Sequence, residues 1–315
     1  MSDLTPLPTE FSDRLAQIFP REQLETLLQT FALQKPTTFR VNPLKTTVAE
    51  TQAELEAAAF ELTPVSWYEG AFILPNEQRR ALTETAAFYD GRIYIQNLSS
   101  MLAPQLLAPQ VGEEVLDLAA APGGKTLQLA AMMANEGYLA AVEPIKNRFF
   151  RLRGNLEQQG ATMVKTYMMD GRAAGRRWPQ VFDRVLLDAP CSSEARITQL
   201  NPESWTHWSS RKIKETSRKQ KKLLQAALYA LKPGGTLVYC TCAFSPEENE
   251  QIVDYQLQKF EDSIEVLPIE LPFDHTQRGI THWGKKAYDP AVARCVRILP
   301  TAVMDGFFLC HLRKK

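Results

Sequence analysis

The chain has 315 residues, of which 44% are hydrophobic and 23% charged, so its composition is that of a soluble globular protein and its length predicts two domains. No apolar run approaches the roughly 18 residues of a membrane span, and the first residues lack a secretory leader, so we expect a cytoplasmic protein without a membrane partner. Basic and acidic residues number 36 each, which excludes a protein that is basic overall. A nucleic-acid partner would therefore need a local basic surface.

The first 95 residues combine helical patterns with short strands. Apolar spacing predicts helices over 22–31 and 48–59 and strands over 38–41 and 71–74. We interpret residues 1–95 as a small α/β accessory domain.

Residues 96–315 are predicted to form a second domain, because strands and helices alternate in its sequence as they do in βαβ units. This rhythm is typical of an α/β fold with a mostly parallel, Rossmann-like sheet covered by helices on both faces. The predicted strands are 114–118, 138–142, 162–168, 181–187, 236–240 and a last antiparallel edge strand, 306–312. The predicted helices are 124–134, 145–159, 210–231 and 246–260, with a helix stop and turn at 232–235.

A loop with two glycines follows the first strand of this sheet. Gly123 and Gly124 lack side chains where a helix begins, which lets backbone N–H groups approach a ligand. Glu143 lies 20 residues beyond Gly123, at the spacing of an acid that binds ribose hydroxyls. Asp170 follows the third strand, where it can accept from an adenine amino group. The pattern favours an adenosine ligand over a glycine turn that only connects a strand to a helix.

The same loop also resembles a phosphate-binding sequence, because Gly124-Lys125-Thr126 is the end of a Walker motif. That motif requires a glycine where this chain has Ala119, and the charge of Asp117 would repel a triphosphate. S-adenosylmethionine fits better, because its cationic sulfonium is attracted by carboxylates.

Two cysteines, Cys191 and Cys242, each follow a predicted strand. Carboxyl ends of parallel strands open on one crevice, so we expect the two thiols to share a site. Each could instead be a buried packing residue, which is the usual fate of a free cysteine. No metal is predicted, because Cys240 and Cys242 are separated by a single residue and the four histidines show no ligand spacing. Five cysteines, an odd number, favour reduced thiols over disulfides.

Three motifs in this order resemble the Nop/Sun family of S-adenosylmethionine-dependent RNA cytosine-5 methyltransferases. They are Leu116-Asp-Leu-Ala-Ala-Ala-Pro-Gly-Gly-Lys-Thr126, Leu187-Asp-Ala-Pro-Cys-Ser192, and Val238-Tyr-Cys-Thr-Cys242 with Glu247-Glu-Asn-Glu250. Segments 39–42, 96–100 and 305–308 extend the resemblance nearly end to end. It implies a class I methyltransferase domain with an N-terminal RNA-binding domain, acting as a monomer on ribosomal or transfer RNA.

The resemblance also implies roles for single residues. Cys242 is the nucleophile that attacks C6 of cytosine, Cys191 assists product release, and Asp188 binds the base; in the related DNA enzymes the cysteine after proline attacks instead. The implied cofactor-binding residues are Ala119, Ala120, Ala121, Pro122, Gly123, Gly124, Lys125, Glu143, Asp170 and Asp188. Neither thiol can reach C6 within a stacked helix, so the target is an unpaired or flipped cytidine.

The chain departs from the family after its Asp-Ala-Pro-Cys-Ser motif. The family usually has a glycine, any residue, a second glycine and an arginine, whereas this chain has Ser193-Glu-Ala-Arg196. Losing both glycines predicts a less permissive loop beside the substrate.

Residues 211–222 hold seven bases and one acid, which predicts either a solvated helix face or a phosphate-binding ridge. The tryptophans at 178, 205 and 208 are either stacking surfaces or core residues. The residues expected to contact RNA are Arg40, Asn42, Arg211, Lys212, Arg218 and Lys219.

Two other functions remain open at this point. A methyltransferase acting on a different acceptor would not need Cys242. An RNA-binding assembly factor without catalysis would need neither the intact cofactor loop nor the two cysteines.

Overall fold

A computed structural model describes residues 4–315 of the chain. Its N-terminal part contains an antiparallel sheet of four strands in the order β2-β3-β1-β4. These strands are β1 (Thr37–Val41), β2 (Thr63–Pro64), β3 (Ala71–Leu74) and β4 (Ile93–Ile95). The helices of this part are α1 (Thr9–Ile18), α2 (Arg21–Thr30), α3 (Val48–Ala57), α4 (Arg79–Thr83) and α5 (Ala86–Tyr89). The predicted strands 38–41 and 71–74 are confirmed; they pair with each other, and Phe39 stacks on Phe72 between them.

The larger part is built on a nine-stranded sheet, of which one side is parallel and the other antiparallel. Its parallel strands are β5 (Glu114–Asp117), β6 (Tyr138–Val142), β7 (Val164–Tyr167), β8 (Phe182–Asp188) and β9 (Leu231–Thr241). The helices that accompany them are α6 (Leu98–Leu107), α7 (Gly124–Met132), α8 (Lys146–Gln158), α9 (Ala174–Arg177), α10 (Ser210–Ala230) and α11 (Glu250–Phe260). Apolar side chains are buried on both faces of the sheet, so the predicted Rossmann-like α/β fold is confirmed.

The long helix α10 forms because its apolar residues recur on one face. Leu223, Leu224, Ala227 and Leu228 are buried against the sheet, while the bases of its first half face outward. The helix ends at Ala230, close to the predicted stop.

The last strand is not at the sheet edge, so that prediction is wrong. The remaining strands are β10 (Ile264–Leu267), β11 (Thr276–Arg278), β12 (His282–Trp283), β13 (Lys286–Ala287), β14 (Val296–Ile298) and β15 (Phe307–Lys314). Strand β15 pairs antiparallel with β9 on one side and with β14 and β10 on the other. Apart from β15, which the sequence predicted at 306–312, these strands are short and carry no clear alternation, which is why the sequence pattern missed them.

The predicted turn at 232–235 is instead part of β9. The strand begins at Leu231, and its register against β8 shifts between Phe182 and Arg184. Gly234, with φ of 80°, supplies the irregular backbone that this bulge requires.

Arg40 and Asn42 do not reach a surface where RNA could bind, so their predicted role is wrong. Arg40 is 1% exposed and donates to Gln96 Oε1 (3.0 Å) and to the Gly124 carbonyl (3.2 Å). Asn42 donates to the carbonyls of Gly91 and Gln159. Because these donors are used internally, both residues fasten the N-terminal sheet to the larger part.

Helices α1 and α2 pack on the loops that follow β8 and β9. Phe11 contacts Phe31 and Trp208 edge-on, and Phe19 contacts Phe244. The Trp208 and Trp205 rings belong to this apolar cluster, and Trp178 packs on Tyr167 and Phe182. The three tryptophans are therefore packing residues.

Ser193 has the left-handed backbone that glycine usually adopts, with φ of 60° and ψ of 31°. The loop after Cys191 thus keeps a glycine-like turn although the glycine is missing. For a residue with a Cβ atom this conformation costs about 1–2 kcal/mol.

We expect Ser193→Gly to raise the free energy of unfolding by about 0.5–1 kcal/mol, because relief of strain exceeds the added freedom of the unfolded chain. Urea denaturation of the purified protein measures this. Ser193→Ala is the matched control, since it removes the hydroxyl but keeps the strain. Equal stability of the glycine and alanine variants would contradict a strained turn.

Candidate active site

The two cysteines that follow β8 and β9 lie in contact. Cys191 Sγ and Cys242 Sγ are 3.3 Å apart, at hydrogen-bonding distance for sulfur. Both side chains are partly buried, and no disulfide joins them. The prediction that the two thiols share a site is confirmed.

The two thiols have different acidities. The hydrogen bond from Cys191 lowers the pKa of Cys242 to about 7, with help from the positive charge of Arg196 and against the effect of burial. That same hydrogen bond, together with burial, raises the pKa of Cys191 well above its usual value. A protonated Cys191 therefore donates to a Cys242 that is readily ionised, which suits Cys242 to be the nucleophile.

An acid and a lysine lie beside the thiols. Asp188, at the end of β8, forms an ion pair with Lys125, with Nζ and Oδ2 2.7 Å apart. Lys125 also donates to Ser100 Oγ at 2.6 Å. The lysine is almost fully buried, so it fixes the orientation of the Asp188 carboxylate. Lys125 is thus held by protein groups, although the sequence pattern placed it among the cofactor-binding residues.

A cavity of about 290 Å³ opens at the carboxyl ends of the strands and reaches both cysteines. The predicted residues that line it are Ala119, Ala121, Pro122, Glu143, Asp170, Asp188, Cys191 and Cys242. An adjoining cavity of about 190 Å³ is lined by Ala120, Gly124 and Lys125 and shares Ala119, Ala121, Pro122 and Asp188. The loop of residues 119–125 therefore forms the wall between the two cavities.

Gly123 lies between two residues that line these cavities, Pro122 and Gly124, and its own conformation is set by packing. It precedes α7 with φ of 115°, and a Cβ atom here would lie 3.0 Å from Leu152 Cδ1. Its missing side chain allows the turn and the packing of α8. Gly124 similarly makes room for Tyr94, which a Cβ atom would approach to 2.9 Å.

Two acids, Glu143 and Asp170, also line the cavity of about 290 Å³. Glu143 is buried, and its Oε1 accepts from the Ile145 backbone N–H at 2.8 Å. Asp170 is partly exposed and pairs with Arg172, whose hydrogen bonds lower the pKa of the Asp170 carboxyl. Ile145 is 51% exposed and adds an apolar wall between them.

Buried carboxylates connect the two cysteine loops. Glu194 accepts from the backbone N–H groups of Phe244 and Ser245, both at 2.7 Å, and from Trp208 Nε1 at 2.9 Å. Glu248 accepts from the backbone N–H of Ser192 at 3.0 Å. Each acid thus belongs to one loop and binds the other, which sets the distance between the thiols.

Glu248 is also bound from α10. Its Oε1 accepts from Thr216 at 2.6 Å and from Gln220 at 3.1 Å. Burial, followed by the charge of Glu194, raises the pKa of Glu248 to about 7. The sequence pattern assigned no role to Glu194, Arg196 or Glu248. The only signal was that acids stand next to the cysteine motifs, in Ser193-Glu-Ala-Arg196 and Glu247-Glu-Asn-Glu250.

The first half of α10 carries a basic concave surface. It is lined by Arg172, Arg211, Lys214, Arg218, Lys219 and Lys222, together with Glu215. Lys219 also lines the larger cavity, so the two adjoin at this residue. Lys212 instead pairs with Glu215, and Lys221 lies over the Tyr255 ring. Of the predicted RNA contacts on this helix, Lys212 alone is outside the concave surface.

Within residues 4–315 there is no helix that could cross a membrane. The same part of the chain holds no cluster of three or more histidine, cysteine or acidic side chains that could bind a metal ion.

Both parts of the chain match families of known proteins. Residues 104–313 match the family described as 16S rRNA methyltransferase RsmB/F, and residues 7–98 match the N-terminal domain of 16S rRNA methyltransferase RsmF. The ribosomal RNA small subunit methyltransferase F of Vibrio atlanticus (strain LGP32) is 36% identical over 98% of this chain and 64% of its own length. The enzyme of the same name from Escherichia coli O81 (strain ED1a) is 37% identical over 90% of this chain and 58% of its own length. This chain spans about three fifths of the length of these relatives.

Solved structures agree with this assignment. A methyltransferase homolog protein from Pyrococcus horikoshii has a TM-score of 0.79 and 31% identity, covering 98% of this chain and 100% of its own. NSun6 from Pyrococcus horikoshii, solved with SFG, has a TM-score of 0.80 over 98% of both chains, and its 22% identity shows a shared fold. The motifs, the fold and these matches together establish that the chain belongs to the RsmB/F family of 16S rRNA methyltransferases, within the Nop/Sun family that its motifs resemble.

Proposed function

We propose that the protein methylates C5 of a cytidine in RNA, using S-adenosylmethionine and a covalent bond between Cys242 and C6. The observation that carries this proposal is the pair of thiols in contact beside Asp188, at the end of a cavity with two further acids. A methyltransferase that acts on an oxygen or nitrogen acceptor would have no use for an acidified thiol at this place.

The cavity fits S-adenosylmethionine. Glu143, Asp170 and Ile145 line it, and we propose that Glu143 binds the ribose, Asp170 the adenine amino group, and Ile145 the face of the ring. Asp117, at the end of β5, has a buried Oδ1 without a protein partner and lines the adjoining cavity. A cation beside these carboxylates is favoured electrostatically. S-adenosylmethionine supplies an electrophilic methyl group on a sulfonium; the neighbour solved with SFG, an analogue of it, supports this choice.

The reaction begins with Cys242, which its lowered pKa makes partly thiolate at neutral pH. The thiolate forms a bond to C6, which turns C5 into a nucleophilic enamine carbon. Asp188, oriented by Lys125, accepts a hydrogen bond from the amino edge of the base and holds it for attack. C5 then takes the methyl group.

Release requires that solvent water at the open cavity take the proton from C5. The C5–H electron pair then re-forms the C5–C6 double bond, and the C6–S pair leaves with the Cys242 sulfur as a thiolate. Cys191 Sγ lies 3.3 Å from Cys242 Sγ, so it can donate a hydrogen bond to the departing Cys242 sulfur. The contact between the thiols thus serves both attack and departure.

We further propose ribosomal RNA of the small subunit as the substrate, because the curated relatives are named for it. The basic concave surface on α10 adjoins the cavity at Lys219 and suits the phosphates next to an unpaired cytidine.

Substitution of the two cysteines tests the mechanism. We expect Cys242→Ala to abolish methylation and to form no adduct with RNA, because the nucleophile is missing. Cys191→Ala should methylate poorly and accumulate a protein–RNA conjugate that survives denaturing electrophoresis. The double variant should form no conjugate. Bisulfite sequencing of RNA from cells lacking the protein identifies the methylated cytidine.

Cys295→Ala is the matched control, since it removes a buried thiol outside the site. Cys191→Ala also loses the hydrogen bond that acidifies Cys242, so it is assayed at about pH 8.5 as well, where a free thiol ionises. A conjugate with Cys242→Ala but not with Cys191→Ala would reverse the two roles. Full activity of both variants would refute covalent catalysis.

Cofactor affinity is expected to depend on the two acids of the larger cavity. Glu143→Gln and Asp170→Asn should each weaken S-adenosylmethionine binding by about 1–3 kcal/mol, because each removes a charge-assisted hydrogen bond. Isothermal calorimetry measures the affinity, with the exposed acid Glu77 changed to Gln as control. Unchanged affinity in both variants would show that these two acids do not bind the adenosine.

RNA affinity is expected to depend on salt through the basic concave surface. A variant with Arg211, Lys214, Arg218 and Lys222 changed to Gln should lower the log–log salt slope by roughly 0.7–0.9 for each phosphate that is no longer neutralised. The control changes Lys212 and Lys221, which lie on the same helix outside this surface. If both variants show the same slope as the unmodified protein, the surface does not bind phosphates.

A further inference from the structure

A further cavity, of about 260 Å³, shares Arg196 with the cavity that contains the cysteines. It is formed where the end of α2 and the segment after it meet the loop that follows Cys191. Its lining includes Phe31, Leu33, Lys35, Ile197, Leu200 and Asp305. The chemistry proposed for the cysteines does not use this cavity.

The walls of this cavity are apolar. Phe31 and Ile197 are buried beneath it, and Leu33 and Leu200 stand at its rim with 44% and 37% of their surface exposed. Two leucines left open to solvent around a buried apolar floor are suited to contact the faces of a flat ring.

One end of the cavity is polar. Lys35 Nζ donates to Asp305 Oδ1 at 2.6 Å and to the Met304 carbonyl at 2.9 Å. Asp305 Oδ2 accepts from Asn97 at 2.8 Å. An ammonium group has three hydrogens, so Lys35 keeps one for a further acceptor. Apolar walls with a few polar groups at one end match a nucleobase, which has apolar faces and a polar edge.

The position of the cavity indicates which base it would hold. Arg196 lines both this cavity and the one that contains the cysteines. An RNA strand that puts one base beside Cys242 passes Arg196, whose charge suits the phosphate between two nucleotides. The next base along the RNA strand then faces the cavity formed by Phe31, Leu33 and Leu200.

We propose that this cavity binds the base of the nucleotide adjacent to the methylated cytidine, and so contributes to the choice of target. The proposal rests on the RNA methyltransferase function proposed above. It assigns Leu33, Lys35 and Leu200 to the recognition of RNA, although all three lie outside the three motifs and the basic helix.

The test uses a fragment of 16S rRNA that the unmodified protein methylates, in three forms. One is intact, and the others carry an abasic nucleotide on the 5′ or the 3′ side of the target cytidine. We expect one of the abasic forms to raise KM about tenfold, as loss of a stacked base does elsewhere, with kcat little changed. The other abasic form should behave as intact RNA.

A variant locates the effect in the protein. Leu200→Trp should fill the cavity, raise KM for the intact RNA by a similar factor, and show no further loss with the sensitive abasic form. Leu33→Trp, on the opposite rim, provides a second variant if the first does not fold. Val111→Trp is the matched control, because Val111 is 54% exposed in the turn before β5, at the amino ends of the parallel strands and away from the cysteines. Binding of S-adenosylmethionine should be unchanged in all of them.

Equal KM for intact and abasic RNAs would overturn the assignment of the cavity while leaving the methyltransferase function in place. Independent, additive losses from Leu200→Trp and the abasic nucleotide would overturn it as well. If the unmodified protein methylates no ribosomal RNA, the proposed function fails, and this assignment fails with it.

Discussion

The arrangement of the site depends on the buried acids that bind one cysteine loop to the other. Parallel strands bring the two loops to the carboxyl ends of the sheet. The distance between neighbouring strands does not by itself set two sulfur atoms 3.3 Å apart. Glu194 and Glu248 do so, because each accepts hydrogen bonds from backbone N–H groups of the opposite loop. The acidity of Cys242 follows from that distance, since its largest cause is the hydrogen bond from Cys191.

The sequence predicted the features that depend on local pattern. Alternating strands and helices indicated the sheet, and the rule that parallel strand ends share a crevice brought Cys191 and Cys242 together. The sequence did not predict the contacts of Glu194 and Glu248, because these contacts join segments about 50 residues apart and no periodicity marks them. Strands β10 and β14 were missed for a similar reason: they are short, and pairing with β15 rather than propensity decides their structure.

Motif membership was a poor guide to which residues face a ligand. Arg40 and Gly123 stand in segments that resemble the family, yet one is buried between the two parts of the chain and the other makes room for Leu152. The basic helix shows the converse case. Its charge run was evident in the sequence, but only the structure separates the bases that line one concave surface from Lys212 and Lys221, which lie outside it.

The packing of α1 and α2 has a consequence for how the chain can be divided. Phe19 and Phe31 lie against Phe244, two residues beyond Cys242, and the Phe31 carbonyl accepts from Thr198 and Gln199. Helices α1 and α2 therefore cover the outer side of the loop that carries Cys242. A chimaera that joined the catalytic sheet of this protein to the amino-terminal segment of a relative would have to keep these helices, or redesign the surface of the Cys242 loop that they cover.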